Sequence, residues 1–140
     1  MSLANYRKKR NLEESNEPSG GRSSNKKLSF VVQRHHASHL HYDFRLELDG
    51  VLKSWAIPKG PSLNPKDKRL AMMVEDHPYD YKSFEGSIPK GNYGAGVVHI
   101  FDKGTYNAVD GDVTTLKKGL AEGNLKFKLS GKKLKGEFAL

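Results

Sequence analysis

Four of the six histidines fall within seven residues, as His35, His36, His39 and His41, and Asp43 and Arg45 follow at alternate positions. The stretch HLHYDFRLEL alternates polar and apolar residues, which predicts a strand. Its side chains His41, Asp43 and Arg45 then project from one side, roughly 6.6 Å apart. Imidazole, carboxylate and guanidinium cannot form a core face unless each has a partner. Imidazole nitrogen with carboxylate oxygen is a suitable ligand set for a divalent transition metal such as Mn²⁺ or Zn²⁺. His35, upstream across a short turn, is placed to fold back as a third ligand, leaving positions open for water and substrate. A His-x-His pair on a strand is also a common exposed polar face, and both readings stand at this point. His36 and His39 are read as surface or structural residues, not as ligands.

The other candidates are cations, one further histidine and a tyrosine. Arg45, beside the proposed metal, offers a planar fork to phosphate oxygens. Lys59 and Arg69 lie in or near turns from which they can reach the same cleft, although each alone is commonly a solvated charge. His77, in the loop EDHPYDY, is suited to stabilise charge developing on phosphorus or to protonate a leaving oxygen. A plain loop histidine held by a backbone bond is the alternative. Tyr81 can donate its hydroxyl to phosphate or simply pack. The run GNYGAG at 91–96 lacks the Gly-Lys-Ser/Thr of a P-loop and opens no helix, so its glycines are read as turn formers at a barrel corner.

Composition narrows the classes. The chain has 140 residues and no cysteine, so disulfides and thiolate metal sites are excluded and any metal must use His, Asp or Glu. A reducing cytosol is compatible with that. No stretch approaches the roughly 18 apolar residues of a membrane span, and MSLANYRKKRNLEES lacks the apolar run of a secretory signal. A cytoplasmic protein with no membrane contact is expected, nucleoid-associated in a prokaryote. Lys and Arg number 24 against 16 Asp and Glu, a net charge of +8. That excess favours a polyanion such as nucleic acid, because neutralised phosphates release counterions; solubility alone is the plainer explanation.

The elements that must position these residues follow from pattern. Residues 1–27 form a basic arm ending in the linker GGRSSNKK, with one or two helical turns expected over Tyr6 to Glu14. The domain spans 28–140. Strands are expected at LSFVVQRH and on both sides of Asp49-Gly50, a strong hairpin dipeptide. On the first hairpin strand Tyr42, Phe44, Leu46 and Leu48 share one face, and His41, Asp43, Arg45 and Glu47 the other. LAMMV (70–74) reads as a buried strand, Asp76 to Tyr81 as a loop, and Glu85 to Gly96 as a glycine-rich loop. Val97 to Phe101 and Gly104 to Tyr106 read as a hairpin, Thr114 to Glu122 as a helix stopped by Gly123, and Leu125 to Leu129 and Leu134 to Leu140 as final strands. The fold class is mainly β: a closed or nearly closed barrel of about eight strands with one or two short helices.

The runs FVVQRHHASHLHYDFRLELDGVLKSWAIPKGPS and VEDHPYDYKSFEGSIPKGNYGAGVVHIFDKGTY closely resemble the 3′-phosphoesterase domain of bacterial DNA ligase D, from about Leu28 to the C-terminus. The chain looks like a free-standing version of that domain. The resemblance implies a β-barrel of about eight strands that uses Mn²⁺ to process 3′ ends in double-strand break repair. Such an enzyme removes a 3′-terminal ribonucleoside and then the 3′-phosphate, exposing a 3′-hydroxyl; Co²⁺, Zn²⁺ and Cd²⁺ suit the same ligands. It also implies metal ligands His35, His41 and Asp43. Arg45 and His77 would engage the scissile phosphate, with Tyr81 and Gln33 nearby and Lys59 and Arg69 lining the site. In the arm, Arg10 and Glu17 match the family and imply docking on the active site, whereas Asn11 stands where the family has an acidic residue. That difference bears on the diesterase step more than on the monoesterase step. Expected partners are primer-template 3′ ends and separate ligase, polymerase and end-binding repair proteins, with the chain acting as a monomer. A non-catalytic nucleic-acid-binding barrel and a scaffold with vestigial chemistry are the competing readings; the His/Asp face speaks against both.

Overall fold

The structure, a computed structural model, describes residues 27–140. The expected helical turns of the arm, its docking, Arg10, Asn11 and Glu17 all lie outside the described residues. The strands are β1 (Leu28–His36), β2 (Leu40–Leu48), β3 (Val51–Ile57), β4 (Met72–Pro78), β5 (Gly86–Ile88), β6 (Gly96–Ala108), β7 (Lys126–Gly131) and β8 (Lys135–Ala139). A 3₁₀ turn covers Tyr79–Ser83 and the single described α-helix, α1, covers Val113–Glu122. All eight strands form one antiparallel sheet in the order β4-β3-β2-β1-β6-β7-β8, with β5 added to the edge of β6. The sheet does not close, since β4 and β8 are not paired, and the architecture is a nearly closed barrel.

Local chemistry explains the main elements. Asp49 and Gly50 both have positive φ, 56° and 79°, the two-residue hairpin geometry that matches strand twist. The Asp112 side chain accepts from Thr114 N and Thr115 reaches back to the Asp112 N–H, so α1 opens on a capping box; it closes on Gly123 at φ 72°. Alternation on the strands then separates two faces. One carries the main core, including Phe30, Phe44, Leu46, Trp55 and Phe127, covered by Leu116 of α1. Phe44 and Phe127 stack across it with ring centroids 5.6 Å apart. The other face carries a smaller cluster of Leu52, Tyr81, Phe84, Ile88 and Val98. Strands β1 to β3 are therefore covered on both sides, which is why Asp43, Arg45 and Glu47 are buried.

Three local expectations are corrected. LAMMV is not a buried strand: Leu70, Met72 and Met73 are exposed and the strand begins only at Met72. As β4 is a sheet edge, its start has a neighbour on one side only. The strand runs on through Asp76 to Pro78, expected as loop, because the acidic segment finds partners on β3; Lys53 Nζ lies 3.0 Å from Asp76 Oδ2. Gly96–Ala108 is one strand of 13 residues and not a hairpin. The Asp102 carboxylate keeps it extended by accepting the backbone N–H groups of Lys132, Lys133 and Leu134 at 2.8–3.1 Å. Within the expected glycine-rich loop, Gly86–Ile88 adds a short strand. No helix among the described residues is long and apolar enough to cross a membrane.

Candidate metal and phosphate site

His35 and His41 are direct cross-strand partners in the β1–β2 ladder, and Gln33 stands opposite Asp43. The two imidazoles and the carboxylate thus meet on one face, each with a ligand atom within 4.8 Å of the others. Backbone carbonyls decide which ring nitrogens are available. His35 Nε2 lies 2.7 Å from the Gly94 oxygen, and His41 Nδ1 lies 3.3 Å from the His39 oxygen. A carbonyl only accepts, so these nitrogens carry the hydrogens. The remaining lone pairs, on His35 Nδ1 and His41 Nε2, face Asp43 oxygens at 3.5 and 3.3 Å. Lone pairs facing lone pairs repel unless a proton or a cation sits between them. Two nitrogens and one oxygen suit a divalent transition metal.

The carboxylate is held ready. Burial pushes the Asp43 carboxyl up, but where protons rather than a cation fill the gaps to the two imidazoles, hydrogen bonds from His35 and His41, with the charge of Arg45, outweigh it and hold it well below the usual carboxylate range. The same hydrogen bond to Asp43 raises His41, against the opposing effect of its burial.

Arg45 is the next layer of the site. Its Nε donates to Gln33 Oε1 at 2.7 Å, its Nη2 lies 3.6 Å from Asp43 Oδ2, and its Cζ sits 4.8 Å from the centre of the Tyr81 ring. Its Nη1 is buried without a hydrogen-bond partner among the described residues. Gln33 in turn donates through Nε2 to the Tyr81 and Phe84 carbonyls, tying β1 to the 3₁₀ turn. His77 meets Tyr81 edge-on at 4.8 Å, and its Nδ1 donates to the Glu75 carbonyl at 3.0 Å. A cavity of about 260 Å³ joins these groups, lined by His35, His41, Asp43, Arg45, His77 and Tyr81. Ala56, small and directly opposite Asp43 on β3, leaves room for it.

The DNA ligase D 3′-phosphoesterase domain family matches residues 33–140. Relatives include the multifunctional non-homologous end joining protein LigD of Pseudomonas aeruginosa, 53% identical over 99% of this chain, and that of Mycobacterium tuberculosis, 47% identical over 80%. The Mycolicibacterium smegmatis counterpart is 46% identical over 79%. The chain belongs to the DNA ligase D 3′-phosphoesterase domain family. It spans 16% of the P. aeruginosa relative and 14% of the M. tuberculosis one.

Within this phosphoesterase domain the expected residues divide clearly. His35, His41, Asp43, Arg45, His77 and Tyr81 share the cavity. Gln33 lies behind it, fully buried, as a strut for Arg45. Lys59 is exposed and does not line the cavity. Arg69 is placed elsewhere: it pairs with Asp67 at 3.3 Å and lines a separate cavity with Phe44, Ile57 and Phe127, on the core face of the sheet. The loop that carries Arg69 lies over the side where β4 and β8 fail to join. Sequence reasoning missed Glu75 and Tyr93, which also line the phosphoesterase cavity. The alternation of Glu75 with His77 is the signal that could have revealed the first.

Proposed function

We propose that this chain is a metal-dependent 3′-end-processing phosphoesterase of DNA end joining. On this reading it removes 3′-phosphates, and 3′-terminal ribonucleosides to leave a 3′-phosphate, so that a 3′-hydroxyl is exposed for ligation or synthesis. One observation carries the reading: three lone-pair donors converge beside a buried arginine, and all four side chains line one cavity with His77 and Tyr81.

His35 Nδ1, His41 Nε2 and an Asp43 oxygen would hold the cation, for which Mn²⁺ is our assignment and Co²⁺ or Zn²⁺ the alternatives. When bound, such an ion supplies Lewis-acid polarisation of a phosphoryl oxygen. Arg45 supplies positive charge and a hydrogen-bond donor to the equatorial oxygens as negative charge grows there. The Tyr81 face and Gln33 fix the guanidinium, so the donor does not have to be reorganised during reaction. His77 is oriented through Nδ1, which donates to the Glu75 carbonyl; Nε2 then delivers a proton to the leaving oxygen from the imidazolium form, in which both ring nitrogens carry hydrogen. The named role of the relatives in non-homologous end joining supports repair as the setting; separate ligase, polymerase and end-binding proteins are the partners we assign to it.

The test is a labelled primer-template ending either in a 3′-phosphate or in one ribonucleotide, incubated with added Mn²⁺ or with EDTA. We expect a 3′-hydroxyl product from the first, a 3′-phosphate and then a 3′-hydroxyl from the second, and neither in EDTA. Failure to convert either substrate with any divalent transition metal would sink the proposal.

A further inference from the structure

The cavity at the metal site does not end blindly. Ala37, Ile88 and Gly94 line it and also line a second, open groove of about 720 Å³. That groove runs between the β1–β2 turn and the loop after β5, with exposed His36, Ser38, Ser87 and Lys90 along its walls. No carboxylate among the described residues lines it. Tyr93, 47% exposed, stands at the junction as a lining residue of the inner cavity. The loop that carries Lys90 and Tyr93 is built: Asn92 N and Nδ2 both donate to the Pro89 carbonyl at 3.2 Å, and Ala95 N donates to the Asn92 carbonyl at 3.1 Å. Its Gly94 carbonyl receives the hydrogen of His35 Nε2, so the loop is fixed to the metal-ligand set itself.

A 3′-phosphate in the inner cavity belongs to a strand that must leave it on the 5′ side. We propose that the groove is the track for that strand, with Lys90 on a backbone phosphate and Tyr93 stacked on the base beside the reacting phosphate. The inference rests on the proposed action at 3′ ends and names the part of the substrate that the metal-site residues do not hold. Its chemistry is that of single-strand recognition elsewhere: a cation that follows the backbone, and an aromatic face that accepts any base. Hydroxyls of Ser38 and Ser87 and the His36 imidazole add hydrogen-bonding groups without repelling phosphate.

The test is binding, read by fluorescence anisotropy with a 5′-labelled single-stranded deoxyoligonucleotide carrying a 3′-phosphate, beside a separate assay of phosphate release. We expect Lys90→Ala to weaken binding severalfold and to flatten the log–log salt dependence by roughly 0.7. Tyr93→Leu should weaken binding about tenfold, and Tyr93→Phe, which keeps the ring, far less. Lys118→Ala, on the exposed side of α1, serves as the charge control and should bind as the parent does. Binding unchanged by Lys90→Ala and Tyr93→Leu, equal loss in the Lys118 control, or no binding by the parent would each overturn the groove. Phosphate release together with binding indifferent to Lys90 and Tyr93 defeats the groove alone. Binding that depends on both residues without release defeats the phosphoesterase reading and leaves the groove standing.

Discussion

Arg45 Nε donates to Gln33 Oε1 at 2.7 Å, and this bond between neighbouring strands fixes the guanidinium that borders the candidate metal ligands. Gln33 spends its amide hydrogens on the Tyr81 and Phe84 carbonyls, so one side chain aligns both the cation and the ring beneath it. Replacing it removes an acceptor for a buried charge and a donor for two buried carbonyls. Gln33→Ala should cost roughly 2–4 kcal/mol in urea unfolding. Phosphate release should fall with it, chiefly in kcat. Arg45→Lys should lose at least about tenfold in turnover, since an ammonium keeps the charge but not the fork. Parent-like kcat in either variant would remove Arg45 positioning from the mechanism.

The ligand set makes a separate prediction. His35→Ala, His41→Ala and Asp43→Ala should each lower Mn²⁺-dependent release of a 3′-phosphate by more than about a hundredfold. Isothermal titration with Mn²⁺ should show the loss directly, without reference to turnover. An Asp43→Ala protein that still binds Mn²⁺ like the parent would show that the cation sits elsewhere.

Lys53 and Asp76 form an ion pair buried under β3 and β4 at 3.0 Å, and the second Asp76 oxygen has no partner among the described residues. Removing one charge strands the other in a dry site. Lys53→Met or Asp76→Leu alone should cost roughly 3–5 kcal/mol, and the double replacement should recover most of that loss. Chemical denaturation of the four proteins forms the cycle that checks it; additive losses would contradict the pairing.

Tyr106 links stability to alkaline pH. Its hydroxyl donates to the Glu47 carbonyl at 2.6 Å, and burial, with the nearby charges of Glu47 and Asp49, pushes its ionisation above the ordinary value of 10.0. The folded state therefore holds this proton where the unfolded chain releases it. The contribution is fully present below pH 10.0 and is lost as pH rises through that value toward the folded pKa. Tyr106→Phe should lose about 1 kcal/mol at neutral pH and should soften the alkaline fall in Tm. An alkaline limb as steep as the parent's would place the titration in another group.

Much of the site was legible because β2 alternates cleanly. His41, Asp43 and Arg45 fall on one face and Phe44 and Leu46 on the other, as period two requires. His35 was legible as a candidate, but its place directly across from His41 depends on ladder register, which residue spacing leaves open. Gln33 carried no local mark of its role as a strut; that role exists only because Tyr81 and Phe84, far along the chain, pack against β1. The same long-range cover buries Arg45, over the Tyr81 ring, on a polar face whose burial the pattern leaves open. Arg69 lies away from the cavity for the converse reason. A basic residue in a turn can swing either way, and Asp67 holds it on the core side. The β6 strand was broken in two by its central Asp-Lys-Gly, whose turn character yields to the Asp102 contacts with Lys132, Lys133 and Leu134.

The unbroken course of β6 has an architectural consequence. Its first residues pair with β5 beside the groove, Val97 to Tyr106 pair with β1 across one register shift, and its last residues carry β7. A cut within Gly96–Ala108 would therefore separate the rim of the groove from the hairpin that completes the core. A cut in the turn near Asp110 would spare every ladder, so that is where this barrel should tolerate being divided into two reassembling fragments.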